Sequence, residues 1–481
     1  MIYNPNMEWK QFNQGNFMQK PNILFIMTDD HAAHAMSCYG SKINKTPNLD
    51  RIAEDGMRFD NCYVTNSICT PSRAAILTGT HNHVNRVTTL SSKLDNRLPN
   101  LAKHLKTGGY QTCIIGKWHL GIEEASVPSG FDHWCVLPGQ GDYHNPKMLE
   151  MGEMKKFNGY ATDIITDKSM DWLENRDKDK PFFLMCHHKA PHRPWEPDEK
   201  HAHMYEDEDI RVPDSFDDDY KNRAKAAAVA KMRMTDLTET DLKATPPEGL
   251  TQEEEKHWRY QRYIKDYLRC VASVDDNVGR ILDYLDENGL TENTIVVYTS
   301  DQGFFLGDHG WFDKRFMYEE SMQMPFVIRY PEKIKADSVC REIICNVDFA
   351  PTFLDMAGLT IPSYMQGYSF TPLLAGEIPD DWQQSAYHRY WMNEDSCHNV
   401  YAHYGIRTKE HKLIYYYNED CGEPGANPNS GDQPEWELFD LKKDPLELFN
   451  EYKNPEYKNI VKHLTAQLEQ KMAQIGDTPM H

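Results

Sequence analysis

Six short segments, far apart in the chain, carry residue types that could combine a metal ion, a nucleophile and proton transfer. Asp29 and Asp30 are adjacent carboxylates, while Asp301 and Gln302 add a third carboxylate and an amide oxygen. All are oxygen donors, which suits a hard divalent cation, Ca2+ or Mg2+, and no His of the kind zinc favours is needed. Cys69-Thr-Pro-Ser-Arg73 runs on into Ala-Ala-Ile-Leu77-Thr78-Gly79. Pro71 fits the first turn of a helix, so Cys69 is expected at a helix N-terminus, where the dipole favours anions. On that reading Cys69 is a reactive thiol of lowered pKa, close to Arg73 and the metal. Lys117 and His119 in Gly116-Lys-Trp-His-Leu-Gly121, His192 in Ala190-Pro-His192, and Lys314, four residues before Tyr318, are basic types that taken singly read as ordinary solvated or core side chains.

Most of these groups follow apolar runs of strand length. Asn22–Met27, Gln111–Ile115, Phe182–Cys186 and Thr294–Tyr298 read as fully buried strands of a parallel sheet covered on both faces. Ligand groups collect at the carboxyl ends of such strands, which is where Asp29, Lys117, His192 and Asp301 fall in sequence. Helical stretches alternate with the strands, so the fold class is α/β. The clearest helix starts at Thr251, with Glu254 completing a capping box, and carries Tyr267, Val271, Val274, Val278, Ile281 and Leu285 before Gly289. The acidic stretch 205–241 reads as a surface insertion. Beyond residue 375, four strand-like runs (385–391, 401–407, 412–417 and 436–440) lack intervening helices. A last helix carries Leu464, Leu468, Met472 and Ile475. The expected organisation is an N-terminal extension (1–20), a catalytic domain (21–375), and a C-terminal subdomain (376–481) of an antiparallel sheet and one helix.

Length and composition bound the reading. The chain has 481 residues, 40% hydrophobic and 26% charged, ordinary values for a globular protein with a large core. A net charge of −22 disfavours nucleic acid as a partner. It also demands that a site for an anion be a local positive cleft. No apolar run approaches the ~20 residues of a membrane span, and no signal peptide is visible at the N-terminus. The eleven cysteines are expected to be mostly buried reduced thiols.

The C-x-P-S-R run with its following L-T-G resembles the signature that the type I sulfatase family, within the alkaline phosphatase superfamily, presents for conversion of its cysteine to formylglycine. The resemblance extends over nearly the whole chain: Gly116–Gly121 is similar to the family's Lys/His loop, Ala190–His192 to its second catalytic histidine, and Lys314 to its second lysine. It implies a large mixed, mostly parallel sheet sandwiched by helices, with a smaller C-terminal antiparallel sheet and helix. It also implies formylglycine at position 69 as nucleophile, made by a formylglycine-generating or anaerobic sulfatase-maturating enzyme. One cation would be held by Asp29, Asp30, residue 69, Asp301 and Gln302, where many members have Asn or His at the last position. His192 would protonate the leaving oxygen, and His119 would take the proton whose loss releases sulfate. Three Asp against a divalent ion leave −1, and Arg73, Lys117 and Lys314 bring the site to +2, the required positive cleft. The location implied is periplasmic or secreted.

His188–Pro197 and Leu306–Gly310 resemble carbohydrate sulfatases, especially bacterial enzymes that degrade glycosaminoglycans. The implied substrate is a sulfated oligosaccharide of heparin, heparan or chondroitin type, attacked from its end, with a 2-O-sulfated uronate ahead of a 6-O-sulfated glucosamine. His81, His83, Tyr143, His388, Arg389 and His398 are candidate sugar-binding residues. The rivals are a phosphomonoester, phosphodiester or phosphonate hydrolase of the same superfamily and a glycan-binding protein without activity. A two-metal hydrolase would want more carboxylate and His ligands than the sequence offers.

Overall fold

The computed structural model describes residues 20–479, so the expected N-terminal extension lies almost wholly outside the described residues. Ten strands form one sheet: β1 (Asn22–Thr28), β2 (Met57–Phe59), β3 (Gln111–Lys117), β4 (His133–Leu137), β5 (Lys147–Glu150), β6 (Glu153–Lys156), β7 (Phe182–His187), β8 (Thr294–Ser300), β9 (Phe326–Arg329) and β10 (Ser338–Cys340). Their order is β10-β2-β9-β8-β1-β7-β3-β4-β5-β6. The central run β8-β1-β7-β3-β4 is parallel, and β9, β5 and β6 join it antiparallel.

All seven residues of β1 are buried, and they alternate between two cores. Ile23, Phe25 and Met27 join the cluster that contains Phe349 and Phe353. Leu24 and Ile26 join the cluster that contains Val271, Val274 and Val278. A period of two in side-chain direction, with apolar residues at every position, is what a sheet covered on both faces requires. Helix α1 (Cys69–Thr78) lies on the first face, and α2 (Ala161–Asn175) and α3 (Gln252–Glu287) lie on the second. Thr251 caps α3 through the expected capping box with Glu254. No helix among the described residues is long and apolar enough to cross a membrane.

The C-terminal sheet is antiparallel, β11 (Ser385–Tyr390), β12 (His403–Thr408), β13 (His411–Tyr416) and β14 (Glu435–Asp440), in sequence order. Helix α4 (Lys458–Ile475) packs Leu464, Leu468 and Ile475 against it. The subdomain is tied to the main body by buried charge: Glu319 pairs with Arg407 at 3.0 Å and Lys412 at 2.9 Å, and Lys412 with Glu447 at 2.6 Å.

The segment 205–241 differs from the surface insertion expected. Ala224, Ala226, Ala227, Ala230 and Met232 enter the main core, and Phe312 N donates to Met232 O at 2.8 Å. Its small apolar residues are interleaved with charges, so the acidic composition masks a buried face.

Strand register sets the site. Thr28 pairs with Ser300, Met27 with His187 and Gly116 with His187. The residues that follow β1, β8 and β7, together with Lys117 at the end of β3, therefore leave the sheet at one level. Gly116 has a φ of 104°, and a Cβ there would stand 1.9 Å from His187 O. Only glycine lets β3 close on β7 immediately before Lys117. Gly116→Ala is expected to lower unfolding free energy by about 3 kcal/mol, read by denaturant titration, with loss of turnover in the folded fraction.

Candidate active site

Cys69 is the first residue of α1, whose ten residues are all buried; Gly79 ends the helix in the left-handed region. Asp29 meets it from the end of β1, with Cys69 Sγ donating to Asp29 Oδ1 at 3.1 Å. Asp30 N donates to Asp301 Oδ1 at 3.3 Å, which ties the end of β1 to the end of β8. Donor atoms of Asp29, Asp30, Cys69 and Asp301 all lie within 4.8 Å of one another. Asp30 Oδ2 and Gln302 Oε1 are buried and have no hydrogen-bond partner. Orphaned oxygens in a cluster of carboxylates are what a hard cation would satisfy, so these residues fit a divalent ion of the Ca2+ or Mg2+ class.

Cations ring the cluster. Lys314 Nζ donates to Asp30 Oδ1 at 2.6 Å. Arg73 Nε donates to Asp301 Oδ2 and Arg73 Nη1 to Lys117 O, each at 2.8 Å. Lys117 Nζ is paired with Asp29 Oδ2 and donates to Gln140 Oε1 at 2.5 Å. Burial pushes the Asp30 carboxyl up to about 6 against the pull of Lys314. Burial opposes the charge of Lys314, but Asp30 beside it holds the ammonium above its ordinary range. Burial, with Lys189 adding to it, drives Lys117 well below its ordinary range.

The thiol departs from expectation. Burial raises the Cys69 pKa well above the usual thiol range, and the nearby Lys314 and Arg73 do not offset it. A helix start with 1% exposure cannot hold the thiolate that its dipole would favour in a wetter place. The unmodified side chain is a poor nucleophile.

Both histidines reach the same place. His192 Nδ1 donates to Arg193 O at 2.7 Å, which turns Nε2 toward Asp30 Oδ2 at 3.8 Å. His119 has a φ of 55°, and its Nδ1 is without a hydrogen-bond partner. Burial, then Lys117 and other cations, lowers both imidazoles well below their ordinary range.

The candidate sugar-binding residues divide. His398 is buried, Nε2 3.3 Å from Oδ2 of Asp313, the neighbour of Lys314, and Nδ1 2.9 Å from Asp395 Oδ1. Tyr143 is 1% exposed and donates to His192 O at 2.6 Å, so it fixes the His192 loop. His388, Arg389, His81 and His83 are taken up in docking the C-terminal subdomain. His388 Nε2 accepts from Ser67 N at 3.1 Å, and Arg389 pairs with Asp477 at 2.6 Å. His81 stacks on His83, which meets Ile475 O at 2.9 Å. Two residues that sequence reasoning did not single out join the site. Gln140 holds Lys117 from the loop Gly139-Gln-Gly-Asp-Tyr-His-Asn-Pro146, which the sequence reads as lining the same cleft without marking Gln140 itself. Lys189 is 2% exposed with Nζ 4.6 Å over the Tyr143 ring; its place three residues before His192 was the available signal.

Oxygen donors from two strand ends, facing a helix start among basic side chains, are the layout of an alkaline phosphatase-like hydrolase of anionic esters. The family model described as Sulfatase matches residues 21–359, and that described as N-sulphoglucosamine sulphohydrolase, C-terminal, matches residues 307–474. The chain belongs to the sulfatase family and is a sulfuric ester hydrolase. An N-acetylglucosamine-6-O-sulfatase of Bacteroides thetaiotaomicron is 44% identical, over 95% of this chain and 87% of that protein. A solved structure of a protein in complex with its substrate D-glucosamine-2-N,6-O-disulfate superposes with a TM-score of 0.88 at 44% identity, covering 96% of this chain and 99% of that one. A phosphonate monoester hydrolase of Agrobacterium radiobacter shares the fold with a TM-score of 0.73 at 22% identity, over 95% and 96% of the chains.

His388→Phe keeps a ring in the stack but removes the acceptor of Ser67 N, two residues before Cys69. Leaving that buried donor unpaired is expected to cost about 1–3 kcal/mol, measured by urea unfolding, and to lower kcat more than it raises KM.

Proposed function

We propose that this sulfatase removes the 6-O-sulfate from glucosamine at the end of heparin- or heparan-type fragments, using one Ca2+ and a formylglycine at position 69. The observation that carries the catalytic part is the gathering of Asp29, Asp30 and Asp301 on residue 69, with Gln302 Nε2 3.9 Å from its Sγ and three basic side chains around them. The substrate rests on the relative that acts on N-acetylglucosamine-6-O-sulfate and on the one bound to glucosamine disulfate. These relatives favour the 6-O position of glucosamine over the 2-O position of uronate that the sequence put first. The reading carries with it a maturation enzyme for Cys69 and a location outside the cytoplasm.

A divalent ion held by Asp29, Asp30, Asp301, Gln302 and residue 69 would polarise the sulfate oxygens and favour ionisation of the attacking hydroxyl. A hydrated aldehyde at position 69 would offer two hydroxyls on one carbon, one to attack sulfur and one whose deprotonation releases sulfate. The chain's own groups do the rest. Arg73, Lys117 and Lys314 hold the charged oxygens, in a site dry enough that these contacts strengthen as charge shifts. Gln140 keeps Lys117 turned inward. His192, its Nδ1–H held by Arg193 O, would act as general acid from Nε2 only as the imidazolium, the form that Asp30 Oδ2 at 3.8 Å and the arriving anionic ester favour against burial, and His119 accepts a proton on the opposite half of the cycle. Asp313 and His398, buried beside Lys314, are the side chains this reading assigns to hydroxyls of the sugar that bears the sulfate.

A phosphate monoester carries one more negative charge at neutral pH than a sulfate ester, and a single cation with three basic residues suits the latter.

Three outcomes test this. Mass spectrometry of the peptide around residue 69 in active protein is expected to show aldehyde in place of thiol, and Cys69→Ala to lower kcat by at least about 1000-fold. Chelation is expected to abolish turnover, with Ca2+ restoring it better than Mg2+. Among defined sulfated disaccharides and aryl esters, loss of 6-O-sulfate from glucosamine is expected to lead; faster cleavage of phosphate esters would sink the assignment.

A further inference from the structure

Helix α3 presents Tyr260, Tyr263 and Tyr267 along one face, spaced three and four residues apart, each fully buried. Each hydroxyl donates to a backbone carbonyl in a different loop. Tyr260 reaches Arg211 O at 2.8 Å, Tyr263 reaches Phe305 O at 2.7 Å, and Tyr267 reaches Asp30 O at 2.8 Å. Tyr267 also accepts from Ala32 N at 2.9 Å, so one oxygen bridges the two ends of the Asp30–Ala32 turn.

That turn needs holding. Asp30 has a φ of 70°, a conformation that costs a residue with a Cβ of order 1 kcal/mol and persists only where surroundings enforce it. Its carboxylate must also sit beside those of Asp29 and Asp301, which repel it. The ring of Tyr267 stacks on Phe304 at 5.8 Å, and Lys314 Nζ lies 5.6 Å from that same Phe304 ring while donating to Asp30 Oδ1. Tyr263 acts on the other half of the site, since Phe305 follows Asp301 and Gln302 by a few residues on the loop leaving β8. Burial pushes the phenols well above their ordinary range, so both remain neutral donors. Tyr260 makes a bond of the same kind and length to the 205–241 segment, which carries no ligand.

We propose that Tyr267 and Tyr263 are positioning residues for the cation, fixing from one rigid helix the two loops that bring Asp30 and Asp301 to the same ion. This rests on the metal site of the proposed function, not on the identity of the ester. Partners that orient ligands from behind commonly govern affinity by 10–100-fold, and here they act through the backbone.

The test is calorimetric titration of Ca2+ into chelator-stripped protein, alongside thermal unfolding, for the wild type, Tyr267→Phe, Tyr263→Phe and Tyr260→Phe. All three variants lose one buried hydroxyl, so a merely structural role would lower Tm in each and leave Ca2+ binding alike. The expected result is a Ca2+ affinity about 10-fold weaker or worse in Tyr267→Phe and Tyr263→Phe, with Tyr260→Phe within about twofold of wild type. Wild-type affinity in the first two, or equal weakening in all three, would overturn the proposal. Should Tyr267→Phe not fold, Tyr263→Phe against Tyr260→Phe decides it in the same way. Protein that binds Ca2+ with this pattern yet cleaves no sulfate ester would refute the functional reading and leave the positioning role standing.

Discussion

Carboxylates do not gather unaided. At 4.8 Å two like charges repel by about 3 kcal/mol even at an effective dielectric constant near 20, and this fold buries three of them around one thiol. The cluster persists because each carboxylate has its own cation: Asp29 has Lys117, Asp30 has Lys314 and Asp301 has Arg73. Those cations come from β3, from the Asp313–Arg315 segment and from α1. The geometry of the sheet, the first helix and that segment must therefore agree within fractions of an ångström for the charges to balance. Under the proposed function, the cations that balance these carboxylates would also grip the anionic ester, so stability and activity would draw on one set of side chains.

The parts of this arrangement that were legible in the sequence are those tied to strand ends. Apolar runs at 22–27, 111–115, 182–186 and 294–298 lie within β1, β3, β7 and β8, and the chemistry placed after them converges because parallel register leaves no alternative. Burial was not legible. His388 and Arg389 look like rim residues on an edge strand, but β11 turns them into the junction between subdomain and body, where His388 accepts from Ser67 N. Cys69 looks like an activated thiol if the helix dipole alone is weighed, and desolvation reverses the sign. Both misreadings come from judging a side chain by type when its surroundings are made by residues hundreds of positions away.

Sharing the sheet does not fix the reaction. A phosphonate hydrolase superposes on this chain at 22% identity, so what discriminates among esters must lie in the side chains at the mouth. There the 205–241 segment matters more than its composition suggests. Asp241 pairs with Arg193 at 2.5 Å, and Arg193 follows His192 directly. Asp313, Asp395, Arg315 and His398 complete a buried charged wall to which the C-terminal subdomain contributes Asp395 and His398. Under the proposed function, selectivity would draw on three regions of the chain, as the anion-binding centre draws on β3, α1 and the Asp313–Arg315 segment.

The junction at β11 also orders events in time. Arg389 N pairs with Thr65 O, and His388 with Ser67 N, so the stretch leading into α1 is locked by strand residues more than three hundred positions downstream. On a ribosome, residue 69 emerges long before those residues exist. Under the proposed function, an enzyme that converted this side chain would have an interval, set by the speed of translation, in which its target is an open peptide. Once β11 seats itself, Cys69 is 1% exposed, and a copy that had missed conversion would stay as it was made.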